Sequence, residues 1–151
     1  MNGVSTFLWF DDNAEEAVNF YTSILSNSKI VSMNRVQGKV LTASFELQGR
    51  HFMALNGGPH YQFTPAVSLF VHCENQEEVD TLWNAFLEHG GKPMQCGWLT
   101  DRFGLSWQII PDILGELLYE SDPATSQRVM QAMMQMIKID IDGLKRAAEQ
   151  P

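Results

Sequence analysis

Cations are scarce in this chain. Ten Lys and Arg face eighteen Asp and Glu, a formal net charge of −8. A nucleic-acid backbone or an anionic membrane surface needs clustered Lys and Arg, so neither is expected as a partner. Cysteine is scarce too. Two residues, Cys73 and Cys96, are too few for a disulfide framework, and a reducing cytoplasm is the expected compartment. No apolar run approaches the ~20 residues of a spanning helix. The opening MNGVSTF has neither the basic nor the apolar region of a signal peptide. Long biased tracts are absent, and 44% hydrophobic residues suffice for a real core. Several chemical motifs are missing as well: no P-loop, no Ser-His-Asp order and no paired acids. Asp101-Arg102 before Phe103-Gly104 reads as turn chemistry.

What is present is a repeat. Residues 12–25 (DNAEEAVNFYTSIL) answer residues 74–87 (ENQEEVDTLWNAFL) at a constant offset of 74 − 12 = 62. Ala17, Phe20, Tyr21, Ile24 and Leu25 answer Val79, Leu82, Trp83, Phe86 and Leu87. Each copy is apolar at i, i+3, i+4, i+7 and i+8, the stripe of a helix packed on one face. Each opens on Asn with Glu three residues later, which predicts a capping box at Asn13 and at Asn75. The chain therefore reads as a duplicated module.

Around the first helix, residues 5–11, 29–36, 40–47 and 51–55 read as strands, with turns at Gln37-Gly38 and Gln48-Gly49. In the third of these, Leu41, Ala43, Phe45 and Leu47 are expected on the buried side. Residues 66–73, 93–96, 98–100 and 105–110 are the corresponding strands around the second helix. The predicted organisation is a βαβββ module over residues 1–57, a Gly/Pro linker over 58–65, a second module over 66–111 and a helical tail over 112–151. In the tail, Pro123 suits a first helical turn, and Val129, Met130, Met133, Met134 and Ile137 form an apolar stripe. That stripe needs a surface to bury it, and exposed sheet edges need covering, so a homodimer is expected.

Two tandem βαβββ modules with Asp101-Arg102-Phe103-Gly104 before the last strand resemble the vicinal oxygen chelate (glyoxalase/bleomycin-resistance) superfamily over residues 5–110. FELQGRHFMALNGGPHYQF (45–63), AVSLFVHCENQEEVDTLW (66–83), CGWLTDRFGLSWQIIP (96–111) and the tail VMQAMMQMIKIDIDGLKRA (129–147) resemble its PhnB-like branch, often labelled 3-demethylubiquinone 3-methyltransferase-like. The resemblance implies an α+β fold, with a cupped mixed sheet from each module, outer helices and a ligand cavity inside the cup. It also places the superfamily's four metal-ligand positions at Thr6, near Met53, at Ser68 and at Gln108. Thr, Ser, Met and Gln are poor ligands for a divalent ion, which wants imidazole and carboxylate. No metal and no other cofactor is expected. The methyltransferase label meets a physical objection, because the strand-to-helix junctions Phe10-Asp11-Asp12-Asn13 and Cys73-Glu74-Asn75 lack the glycines of a nucleotide-binding loop.

Strand parity then nominates cavity residues. Thr6, Leu8 and Phe10 are expected to face inward on the first strand, and His51, Met53 and Leu55 on the fourth. Ser68, Phe70 and His72, with Ser106, Gln108 and Ile110, do the same in the second module. Such a lining suits a small apolar or aromatic molecule. A core filled by the same side chains is the alternative reading. His51, His72 and Cys96 are the candidates for chemistry: an imidazole can act as a general base, and a thiolate as a nucleophile. For each, a purely structural role stands beside the catalytic one. Function divides between an enzyme acting on a small molecule and a binding or sequestering module of the bleomycin-resistance kind.

Overall fold

The computed structural model describes residues 1–150. The chain forms two compact units, Met1–Gln62 and a second beginning at Phe63, so the boundary falls inside the expected linker. The first unit contains β1 (Thr6–Phe10), α1 (Ala14–Ile24), β2 (Lys29–Val36), β3 (Lys39–Leu47) and β4 (Arg50–Asn56). The second contains β5 (Ser68–Cys73), α2 (Gln76–Glu88), β6 (Lys92–Pro93), β7 (Trp98–Thr100) and β8 (Ser106–Pro111). It continues through α3 (Asp112–Tyr119), α4 (Pro123–Met134) and α5 (Ile141–Glu149). Each module is one four-stranded mixed sheet, ordered β1-β4-β3-β2 and β5-β8-β7-β6. The outer pairs β1·β4 and β5·β8 are parallel and the rest antiparallel. This is the expected α+β architecture of two βαβββ modules with a helical tail.

Local chemistry explains the strand ends. Gln37-Gly38 and Gln48-Gly49 all have positive φ (53°, 81°, 52° and 76°). That is the two-residue hairpin turn whose twist matches the flanking strands, and glycine carries its second position without strain. The β2·β3 register slips twice. Thr42 opposes Asn34 while Val40 opposes Arg35, so Leu41 is the extra residue of a bulge. Leu41 is therefore turned out, and Val40 takes the core position expected for it. Ala43, Phe45 and Leu47 are buried as expected.

The two helices sit on their sheets in the same manner but start differently. At α2, Asn75 Oδ1 accepts from Glu78 N (2.9 Å) and Glu78 Oε2 accepts from Glu74 N (2.7 Å), a reciprocal cap. At α1 the expected box does not form, since Asn13 makes no capping bond. Instead Ala14 N donates to Asn56 Oδ1 (2.8 Å), and Asn56 Nδ2 donates to Val40 O (2.9 Å). A side chain from the end of β4 thus supplies the cap, which no local pattern around Asn13 can announce. The α1 stripe is also rotated: Val18 is fully buried, whereas Phe20 and Ile24 are only half-buried.

The tail belongs to the second unit's own core. Ile110, Leu114, Val129, Ile139 and Leu144 form one buried cluster, with Leu117, Leu118, Met133, Met136 and Ala148 against it. Backbone bonds dock it: Cys96 N donates to Met136 O and Gly97 N to Ile137 O, both at 2.8 Å. A Cβ at Gly97 would stand 2.7 Å from Ile110 Cδ1 and 2.9 Å from Ile139 Cγ1, so only glycine permits this approach. Gln76 adds a side-chain clamp. Its Nε2 donates to Ile139 O (3.0 Å), and its Oε1 accepts from Ile141 N (2.8 Å). Arg128 donates to the carbonyls of Ala147 (3.0 Å) and Ala148 (2.8 Å), satisfying the C-terminal end of α5. The expected Met stripe splits across this packing. Val129 and Met133 turn inward, while Met130, Met134 and Ile137 stay exposed.

Two outcomes follow for the tail. Ile139→Ala removes a fully buried side chain and is expected to cost roughly 2–5 kcal/mol, whereas exposed Met134→Ala stays within about 0.5 kcal/mol; urea denaturation measures both. Asp80 is held below the usual carboxylate range by hydrogen bonds from Lys138 and then Gln76. Its contribution is complete while it is ionised in both states, and is lost as pH falls through its lowered folded value. The protection of the Cys96 and Gly97 amides, as hydrogen exchange relative to the intrinsic rate at each pH, is therefore expected to fall in acid, and Asp80→Asn to remove that part of the pH dependence.

Candidate functional site

In each module one sheet face lies under its helix, and that face fixes where every other side chain points. In the first, Leu8, Phe10, Phe45, Phe52 and Ala54 are buried on the α1 side together with Ala17, Val18 and Tyr21. In the second, Trp107 packs on Phe86 of α2 (ring centroids 4.9 Å) and Leu99 and Ile109 are buried beside it. The opposite face of each sheet carries no helix of α1 or α2 type, and it is the face on which candidate site residues fall.

The expected parity of β1 is corrected here. Thr6, Leu8 and Phe10 register with Phe52, Ala54 and Asn56, on the helix-covered side for Leu8 and Phe10. Met53 registers with Phe7 and Leu55 with Trp9, on the other face. The cause is one residue. Three residues separate β1 from α1 but two separate β5 from α2. The helices therefore correspond at an offset of 62 but the strands at 73 − 10 = 63, matching buried Phe10 to buried Cys73. A one-residue shift turns every side chain of a strand over. Phe7, not Thr6 or Leu8, is thus the counterpart of Phe70, and Ser5 that of Ser68.

On the uncovered face of the first module, His51 stands between two hydroxyls. Ser5 Oγ lies 2.6 Å from its Nδ1 and Ser44 Oγ 3.3 Å from its Nε2. Ser44 registers with Met53, and Phe7 with Met53 from the other side. Phe7 is half exposed. Trp9 Nε1 donates to Gly58 O (2.9 Å), and its ring meets Tyr61 edge-on at 5.0 Å. Ser5, Phe7, Trp9 and Ser44 were not singled out from sequence; the 63-residue strand offset is the signal that finds the first three.

The second module brings together most of what parity nominated. Ser68, Phe70 and His72 register with Ser106, Gln108 and Ile110. Gln108 Nε2 donates to Ser68 Oγ (2.9 Å). Trp98 registers with Gln108 from the far side. Phe70 is 46% exposed in mid-strand, and its ring lies 4.7 Å from that of His72. His72 Nδ1 stands 3.6 Å from Asp112 Oδ1, an ion pair when the ring is protonated. Ile110 shares the face but is closed over by the tail core. The metal positions implied by the superfamily do not fit a divalent ion. Thr6 and Met53 lie on opposite faces of their sheet, and Ser68 and Gln108 are neutral groups already bonded to each other. Among the described residues, no group of three or more His, Cys, Asp or Glu could hold one.

The remaining candidates are structural. Asp101, almost fully buried, accepts from Phe103 N, Leu105 N and Trp107 Nε1 (2.9, 3.0 and 2.9 Å), so it organises the turn. His89 Nδ1 donates to Ala85 O (2.8 Å) at the end of α2. A groove of about 270 Å³ lies between the starts of α2 and α5, lined by Glu74, Gln76, Ile113, Asp142 and Lys145 among others. It contains none of the nominated residues. Burial, and then the charges of Glu78 and Asp112, push the Cys73 thiol up to about 12.

Residues 2–110 match the family model described as 3-demethylubiquinone-9 3-methyltransferase. The chain belongs to this family, which is PhnB-like. A solved PhnB protein from Bacillus cereus, to which the same methyltransferase description is attached, is 37% identical. The match covers 73% of this chain and 99% of that one, at a TM-score of 0.68. A Pseudomonas aeruginosa protein matches at 21% identity, TM-score 0.62, over 74% of this chain and 98% of its own. The fosfomycin resistance protein FosX from Listeria monocytogenes, complexed with Mn(II) and sulfate, matches in fold at 14% identity and TM-score 0.52, over 71% and 87%. No curated protein matches. Within this PhnB-like chain the two thiols are not equivalent. Cys96 is partly exposed and Cys73 buried, so iodoacetamide at neutral pH is expected to label Cys96 at least about tenfold faster, as read by peptide mass spectrometry.

Proposed function

We propose that the chain binds a small apolar or aromatic molecule against the uncovered sheet face of its second module, without a metal. The observation that carries this reading is Phe70, a large ring left 46% exposed in the middle of a strand, with Gln108 and Ser68 bonded beside it. An apolar platform edged by a few oriented polar groups is the make-up of a small-molecule site. Trp98 extends the platform from the neighbouring strand. We read the family's methyltransferase description as a family label. A nucleotide cofactor needs open N–H groups at a strand-to-helix junction, and at α2 the first of these are taken by Asn75, with Glu78 adding a negative charge. Sequestration of the bleomycin-resistance kind needs no more than this face. An enzymatic role is favoured by one observation, the His72–Asp112 pair at its edge.

We further propose a homodimer in a reducing cytoplasm. Met130, Met134 and Ile137 remain exposed on the tail of the second unit, and Phe7 and Val31 are exposed separately on the sheet of the first, apolar groups of the kind that a second copy would cover. Among the described residues no helix is long and apolar enough to cross a membrane. Light scattering is expected to give twice 17.1 kDa.

Tetralin, a bicyclic aromatic hydrocarbon, tests the binding reading. Native protein stripped with chelator is expected to bind it with unchanged affinity, and Phe70→Ala to weaken binding roughly tenfold, since one buried aromatic contact is worth about 1–3 kcal/mol. Calorimetry decides: no binding by the native protein, or binding that needs added zinc, nickel or manganese, ends this reading.

A further inference from the structure

One polar atom stands out from the rest of the molecule. Ser106 Oγ is fully buried and has no hydrogen-bond partner among the described residues. Leaving a buried hydroxyl unpaired is costly, and native proteins do so rarely and for a reason. Ser106 lies on β8 two residues before Gln108 and registers directly with Ser68 and with Thr100. Its side chain therefore belongs to the face of Phe70, Gln108 and Trp98, not to the face under α2, where its neighbour Trp107 packs. Ser68 Oγ accepts the Gln108 amide proton, so the Ser68 hydroxyl proton is still free to be donated. Two O–H donors thus sit on adjacent strands, on one face, at the end of an aromatic platform. The Gln108–Ser68 bond runs diagonally across the two strands and ends beside Ser106.

We infer that Ser68 and Ser106 form an oxygen-recognition subsite for a neutral carbonyl, of the aryl-ketone class, in the molecule bound on Phe70. This rests on the binding reading above and names what the bound molecule must carry. A carbonyl oxygen has two lone pairs and accepts two hydroxyl protons at once. Its arrival satisfies the orphan hydroxyl, while Ser68 Oγ goes on accepting from Gln108 as it donates its own proton. The one cation of this face, Lys92, registers with Thr100 from the edge strand β6, with β7 between it and Ser106; no Lys or Arg stands beside the Ser68–Ser106 pair itself, so a carboxylate or phosphate held there is disfavoured. Hydrocarbon binding would leave Ser106 unpaired, so the site discriminates by oxygen and not by shape.

The experiment compares 1-tetralone with tetralin, which have the same carbon skeleton and differ by one carbonyl oxygen. Calorimetric titration of the full chain is expected to show 1-tetralone binding roughly tenfold tighter than tetralin, the worth of about one additional satisfied hydrogen bond. Ser106→Ala is expected to erase that preference while leaving tetralin affinity within about twofold, and Ser68→Ala to reduce it. The ligand-free Ser106→Ala protein is expected to melt at or above the wild-type temperature, because an unpaired buried hydroxyl has been removed. A melting temperature that falls means that Ser106 serves an internal partner or a structural water, and overturns the subsite. So does equal affinity of the native protein for the two probes, or an equal loss of both on Ser106→Ala. Failure of tetralin itself to bind defeats the underlying binding reading instead, and the subsite with it.

Discussion

The molecule depends on a single constraint: each four-stranded sheet buries one face under one helix. Strand side chains alternate, so half of every strand must go under α1 or α2, and the other half is presented. In the first module the covered half holds Leu8, Phe10, Phe45 and Phe52 against Tyr21; in the second it holds Leu99, Trp107 and Ile109 against Phe86. Burying rings of this size supplies on the order of 2–3 kcal/mol apiece, enough to lock the register. Once it is locked, Phe7, Met53, Phe70 and Gln108 have no choice of side. The candidate site is a consequence of where the helices are, not a separate construction.

The tail completes the second module instead of standing apart from it. Its core begins at Ile110, the last inward residue of β8, and is tied back by Gln76, Gly97 and Arg128. All three ties end on backbone groups of the tail, which suits short helical segments whose ends would otherwise leave carbonyl and amide groups unpaired. The same docking closes off one end of the β8 face and limits the exposed platform to the stretch around Phe70, Gln108 and Trp98. Buried polar groups in this module are satisfied with care: Asp101 alone receives three donors. Against that background the unpaired Ser106 hydroxyl is informative, since stability and a ready binding group pull in opposite directions at one atom.

Much was legible from residue order alone, for reasons that are local. The period-3.6 stripes and the Asn75-to-Glu78 cap are interactions within one helical turn. The Gln37-Gly38 and Gln48-Gly49 turns follow from backbone sterics. The duplication follows from self-similarity of the chain, whereas the family comes from the resemblance of residues 45–63, 66–83 and 96–111 to PhnB-like proteins. Ser68, Phe70 and Gln108 were placed together correctly because β5 and β8 are regular from end to end. Tertiary structure decided the rest. Asn56 caps α1 from 42 residues away, a partnership no local pattern encodes. The side of the sheet taken by Leu8 and Phe10 turned on one extra residue between β1 and α1, and Leu41 was expelled by a bulge; at period two, a single residue reverses the answer. Asp112 beside His72, and Ile110 under Ile139, come from the packing of a tail whose sequence shows helices but not their destination. Residue order determines which faces are apolar, because that is a property of spacing, and only the folded chain determines which of those faces another element covers.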